Sequence, residues 1–142
     1  MERATGVFPL LAVLAVLVLN GNPIRADERV PFSLDVENAS AEVGNQTTVK
    51  ATITPPEGFK IRRSYRNRVV ELSALDDQGV DFQDEVVLGS IEDDGSIVFE
   101  VGVVPTEPGT HPINGLIRVG FIKGTTAESK SVPLMATVTG TQ

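Results

Sequence analysis

Beyond its first 26 residues the chain alternates apolar and polar positions with a period of two, and no stretch there repeats at the 3.6-residue spacing of a helix. The longest alternating run is 96–104, where Ile97, Phe99, Val101 and Val103 interleave with Val98, Glu100 and Gly102. Those four apolar side chains are expected in a core. Phe32, Leu34 and Val36 repeat the pattern, and so do Val49, Ala51 and Ile53 within 47–54. Further strands are expected at 69–75, 85–90, 113–122 and 131–139, with loops at 105–112 and 123–130. Pro55, Pro56 and Gly58 break the second strand, because proline cannot donate to a ladder and glycine accepts a positive φ. Asp76, Asp77, Gln78 and Gly79 close the third, and Asp94-Gly95 favours a tight hairpin. About seven short strands at this spacing describe an all-β fold, an immunoglobulin-like antiparallel β-sandwich. A small closed barrel is the competing architecture.

The first residues follow a different rule. Residues 7–19 are an almost unbroken apolar run with Arg3 ahead of it and Asn20, Gly21, Asn22 and Pro23 behind, ending at the small residue Ala26. That is the pattern of a secretory signal peptide covering residues 1–26, cut after Ala26. The run is well short of the roughly 20 residues that a spanning helix needs, so an uncleaved anchor is the weaker reading. A mature chain of residues 27–142 is expected as one soluble domain without an integral membrane segment, in the periplasm or outside the cell. Losing Arg3, Arg25 and Glu2 takes Lys plus Arg from 12 to 10 and Asp plus Glu from 19 to 18, so the net charge moves from −7 to −8. A domain of that sign repels nucleic acid and anionic lipid.

The chain has no cysteine. Thiol chemistry, Cys-ligated zinc and iron–sulfur clusters are excluded, and stability has to come from packing without disulfides. His111 is the only histidine and is expected in an exposed loop beside Pro112. One histidine cannot build a multi-His metal site, and no Gly-x-Ser-x-Gly elbow accompanies it. No catalytic residue, metal or cofactor is therefore assigned, and the chain is read as a non-enzyme. Asp76, Asp77, Asp81, Asp84 and Glu85 crowd one connection and Glu92, Asp93 and Asp94 another. Their spacing matches no EF-hand loop, which favours solvated turn acids over a calcium site. Lys60, Arg62, Arg63, Arg66 and Arg68 surround Tyr65 and hold half of the ten basic residues after position 26. This strip is either a docking patch for an acidic partner or anionic polymer, or an edge strand whose charges discourage pairing. Arg63, Tyr65, Arg66 and Arg68 are its candidate contact residues. Asn38-Ala39-Ser40 and Asn45-Gln46-Thr47 match the glycosylation sequon, a signal that matters only in a glycosylating host.

Several segments, in order, resemble the amino-terminal periplasmic domain of the bacterial thiol:disulfide interchange protein DsbD. Phe32 to Val36, Gly58-Phe59 and Tyr65-Arg66-Asn67-Arg68 are similar to its opening strand, Gly-aromatic pair and Tyr-Arg segment. Asp84, Glu85 and Gly89 are similar to the loop that caps its active site, and residues 128–134 to the strand after its redox cysteine pair. The resemblance implies an immunoglobulin-like sandwich that meets protein partners in the exported compartment. The departures are chemical. Where the family carries two cysteines this chain has none in 120–128, and Val86, Val87 and Leu88 stand in place of the cap's aromatic residues. Thiolate attack needs sulfur, so the family's activity does not carry over. The family's membrane and thioredoxin-like domains have no counterpart up to Gln142, which implies a stand-alone relative.

An exported, non-catalytic binding or scaffold module is the expectation, with another exported or membrane protein as partner. Two alternatives stand beside it. One is an accessory subunit of a thiol–disulfide or cofactor-maturation system. The other is a hydrolase or calcium-dependent carbohydrate-binding module, against which stand the lack of tryptophan and the single tyrosine.

Overall fold

Ile97, Phe99, Val101 and Val103, the alternating set of the longest run, are all fully buried. The computed structural model describes residues 31–75 and 78–142. The signal-peptide reading of residues 1–26 and the Asp76-Asp77 pair lie outside the described residues. In chain order the strands are β1 (Ser33–Glu37), β2 (Ala39–Glu42), β3 (Thr47–Thr54), β4 (Lys60–Ile61), β5 (Arg68–Ala74), β6 (Val80–Phe82), β7 (Val87–Leu88), β8 (Ser90–Ile91), β9 (Ile97–Pro105), β10 (Gly109–Lys123) and β11 (Thr126–Thr141).

They form two sheets. One runs β1-β3-β9-β6, with β8 also on β9; the other runs β2-β11-β10-β5-β7, with β4 also on β10. The pairs Val49–Val101, Ala51–Phe99 and Ile53–Ile97 supply one inner face. Ile113, Ile117, Val119 and Phe121 of β10 and Leu134 and Val138 of β11 supply the other, all of them fully buried. Phe32 reaches Phe121 with ring centroids 5.7 Å apart. Neither sheet closes on itself, so the architecture is an immunoglobulin-like sandwich and the barrel is set aside.

Among the described residues eleven segments replace the expected seven strands: β2, β4 and β6 lie where no strand is expected, and segment 85–90 divides into β7 and β8. The chain changes sheets at Asn38: β1 pairs antiparallel with β3, whereas β2 crosses over to run parallel to β11. The Asn38 carboxamide covers the break, its Oδ1 accepting from the Thr137 N–H at 2.9 Å. Segment 85–90, expected as one strand, breaks at Gly89 instead: β7 pairs with β5 and β8 with β9 in the opposite sheet. A side chain at Gly89 would strike Ile97 and Phe99, so the crossing needs glycine.

Two expected loops turn out to be strand. Segment 105–112 shrinks to a three-residue connection, 106–108: Pro105 ends β9, and β10 begins at Gly109 and includes His111 and Pro112. Proline is tolerated because its nitrogen points away from β11, while its carbonyl still accepts from the Leu75 N–H at 3.0 Å. His111 is consequently buried rather than exposed, with Nε2 2.9 Å from the Glu107 carbonyl and its ring against Gly79. Segment 123–130 is likewise ladder on both sides of a two-residue turn, Gly124-Thr125, with Gly124 at φ 62°. Glycine at the first central position suits a type II′ hairpin turn. The Asp94-Gly95 turn is looser than expected. Glu92 N–H donates to Ser96, Gly95 N–H donates to Glu92, and Gly95 sits at φ 93°, which makes a three-residue hairpin loop.

Candidate functional site

Strands β4 and β5 both lie antiparallel on the same edge of β10, with Ile61 opposite Phe121 and Arg68 opposite Arg118. Six residues, 62–67, span the stretch that Val119 and Gly120 alone span on β10. The excess bulges outward and carries the basic strip. The strip is therefore an excursion between two strands rather than one edge strand: β5 has β10 on one side and, at Arg68 and Val69, β7 on the other, whereas β4 pairs with β10 alone.

Such an excursion leaves a hole in the ladder, and backbone groups facing a hole need partners. Arg62 N–H donates to the Gly120 carbonyl at 2.8 Å. The Gly120 N–H has no strand opposite it and donates instead to Asn67 Oδ1 at 2.8 Å. Asn67 Nδ2 in turn donates to the carbonyls of Arg62 at 3.1 Å and Tyr65 at 3.2 Å. The Asn67 carbonyl accepts from Gly89 N–H at 3.1 Å, which fastens the loop to the sheet crossing. One buried carboxamide thus takes the place of a strand residue and sets the shape of the loop.

Tyr65 is held as well, with its Cβ and Cγ against Gly120 so closely that a Cβ there would lie 2.9 Å away. Arg68 turns back and donates to the Arg66 carbonyl at 2.6 Å, and Arg62 Nε donates to Ser64 Oγ at 3.2 Å. Both arginines are tied into the loop. Arg63 and Arg66 are not: both are exposed, and among the described residues neither guanidinium has a hydrogen-bond or ion-pair partner. They border a depression of about 200 Å3 with Tyr65, Asn67, Leu88, Gly89 and Ile91. Leu88 is 58% exposed, an apolar side chain beside two uncompensated cations.

Of the candidate residues, Arg63, Tyr65, Arg66 and Gly89 therefore meet at one place. Arg68 lies on β5 beside it as a support for the loop. Asp84 and Glu85 do not join them. They line a separate cleft of about 750 Å3 with Glu71 and Asp81, bounded by β5 and β6. Glu71 there has φ 57° at a bulge in β5, where the register on β10 shifts between Asn114 and Leu116. Among the described residues no group of three or more His, Asp or Glu side chains is placed to hold a metal ion. The acids of the Glu92 turn have a structural task in one case: Asp94 accepts from Ser96 Oγ at 2.7 Å and Ser96 N–H at 3.0 Å. Those bonds hold its pKa below the ordinary 3.8.

Asn67 carries the geometry of the site, yet in the sequence it stands out only as one residue of the Tyr-Arg segment. Nothing local marks it, because its partners lie on β10 and at Gly89.

No protein-family model and no curated protein matches the chain. Among solved structures it is similar to AggA, the major subunit of aggregative adherence fimbriae type I from Escherichia coli. That match has 15% identity and a TM-score of 0.44, covering 80% of this chain and 97% of that one. The likeness assigns no function to this chain.

Proposed function

We propose that the chain is an exported, non-catalytic immunoglobulin-like module that holds a protein partner at the depression framed by Arg63, Tyr65, Arg66 and Leu88. The observation that carries this reading is the pair of unpartnered guanidinium groups displayed by a loop whose own backbone is satisfied through buried Asn67. A preformed loop loses little freedom on binding, and exposed cations beside an apolar side chain suit a partner that offers carboxylates around an apolar contact. Export rests on the apolar run and small-residue ending of residues 1–26. The partner then shares that compartment, as an exported protein or the exposed part of a membrane protein.

The test is a crosslinking pull-down from the exported fraction, comparing the wild-type chain with an Arg63→Glu/Arg66→Glu variant. The expected result is capture by the wild type, weakened by added salt and lost in the variant, with the melting temperature unchanged. Equal capture by both proteins would place the contact elsewhere.

A further inference from the structure

Strand β11 is longer than the partner on its outer side. On its inner side it pairs with β10 from Thr126 to Gly140, but β2 covers only Val138 to Thr141 on the other. Among the described residues, no strand lies along the outer edge of 127–136. The direction of its backbone groups is fixed by two observations. Thr137 N–H points outward, since Asn38 receives it. Pro133, two positions of the same parity away, sits in the strand without interrupting the register on β10. Ala127, Ser129 and Ser131 share that parity, so their N–H and C=O groups face outward, and all three residues are exposed.

We propose that this edge pairs antiparallel with the same edge of a second copy, with Ser129 opposite Ser129 on a two-fold axis. In that register Ala127 faces Ser131 and exchanges backbone hydrogen bonds with it, and Glu128 faces Lys130 on both sides of the axis. Opposite charges directly across a ladder attract, and here the sequence supplies the match to itself. Centring two residues later would set Glu128 against Leu134 and Lys130 against Val132. Centring two residues earlier would set them against Thr126 and Gly124. The ladder also has natural ends: the hairpin turn at Gly124-Thr125 meets Pro133 of the other copy, which has no N–H to give. Charges on an edge discourage indiscriminate pairing, and these permit one register. The pairing is isologous, as a two-fold contact requires. A contact limited to a few backbone pairs is expected to bury less than the ~1,200 Å² of a stable complex, so association is weak and is best read by a covalent trap.

The absence of cysteine makes the trap clean. Directly opposed residues of a hydrogen-bonded pair have Cα atoms about 5.5 Å apart, within the range a disulfide spans. Ser129→Cys should give a disulfide-linked dimer as the main product of mild oxidation. Ala127→Cys, whose two copies would lie about 14 Å apart along the strands, should give only a trace. Adding Lys130→Glu to Ser129→Cys should cut trapping about tenfold, and the charge swap Glu128→Lys/Lys130→Glu should restore it. Equal trapping at 127 and 129, no trapping at 129, or indifference to Lys130→Glu would each overturn the proposal. Failure of the pull-down at Arg63 and Arg66 would leave it standing, because the two surfaces share no residue.

Discussion

The two edges of β10 solve the same problem in opposite ways. Toward β11 the ladder runs without interruption from Gly109–Gly140 to Lys123–Thr126, and every inward backbone group meets another backbone group. Toward β4 and β5 the partner strand leaves at Ile61, returns at Arg68, and bulges again at Glu71. There a side chain, Asn67, and a close aromatic contact, Tyr65 on Gly120, replace the missing ladder. A regular flank spends its polar groups on itself and offers a surface only along its free edge. A broken flank throws side chains outward, and the two free cations of this molecule's loop stand on it. What keeps the broken flank in shape is one amide, so it is also the flank a single substitution can undo.

The largest effect should come from the core both flanks depend on. Phe99 is fully buried and lies under the Gly89 crossing. Phe99→Ala should cost about 3–5 kcal/mol in chemical denaturation, a large share of a small domain's stability. A loss below about 1 kcal/mol would mean that the inner face is not packed as described.

Asn67→Ala should come next, at about 2 kcal/mol, because it strands the Gly120 N–H and two loop carbonyls away from partners. On the broken flank this is the damage of losing a ladder rung, although no strand is touched.

How much of this was legible follows from where each signal lives. Residues 47–54 and 97–103 announce themselves because one face is apolar and the other polar, which is what a half-buried strand requires. Residues 127–130 hide because Ala127, Ser129, Glu128 and Lys130 are mostly polar on both faces; that part of β11 is held by its backbone ladder. His111 was misread because Gly109 and Pro112 are ordinarily loop residues, and only the direction of the Pro112 nitrogen relative to β11 makes them strand. β2 was missed because Ala39–Glu42 is short and pairs in parallel with residues a hundred positions away. The basic strip was visible as a cluster, but its shape was not, since Asn67 acts through distant partners. Of the residues marked for contact, Tyr65 is shared between contact and support, and Arg68 serves as support beside the depression.

The smallest expected effect lies away from both flanks, at the Glu92 turn. Asp94 has its pKa lowered by Ser96, so its contribution to stability is present above the unfolded value of 3.8 and is lost as the pH falls through the lower folded value. Asp94→Ala should therefore melt slightly below the wild type at neutral pH, with the gap closing in strong acid. Melting curves that stay parallel across that range would remove the bond from the account.

The central claim is that a side chain stands in for a strand on one edge of β10, and amide hydrogen exchange at Gly120 reads it directly. In the wild type the Gly120 N–H should exchange as slowly as that of Phe121 beside it, because both are bonded within the sheet. In Asn67→Ala, Gly120 should lose most of that protection while Phe121, bonded to β11, keeps its own apart from the shared loss of global stability. Equal behaviour of the two amides in the variant would contradict the claim.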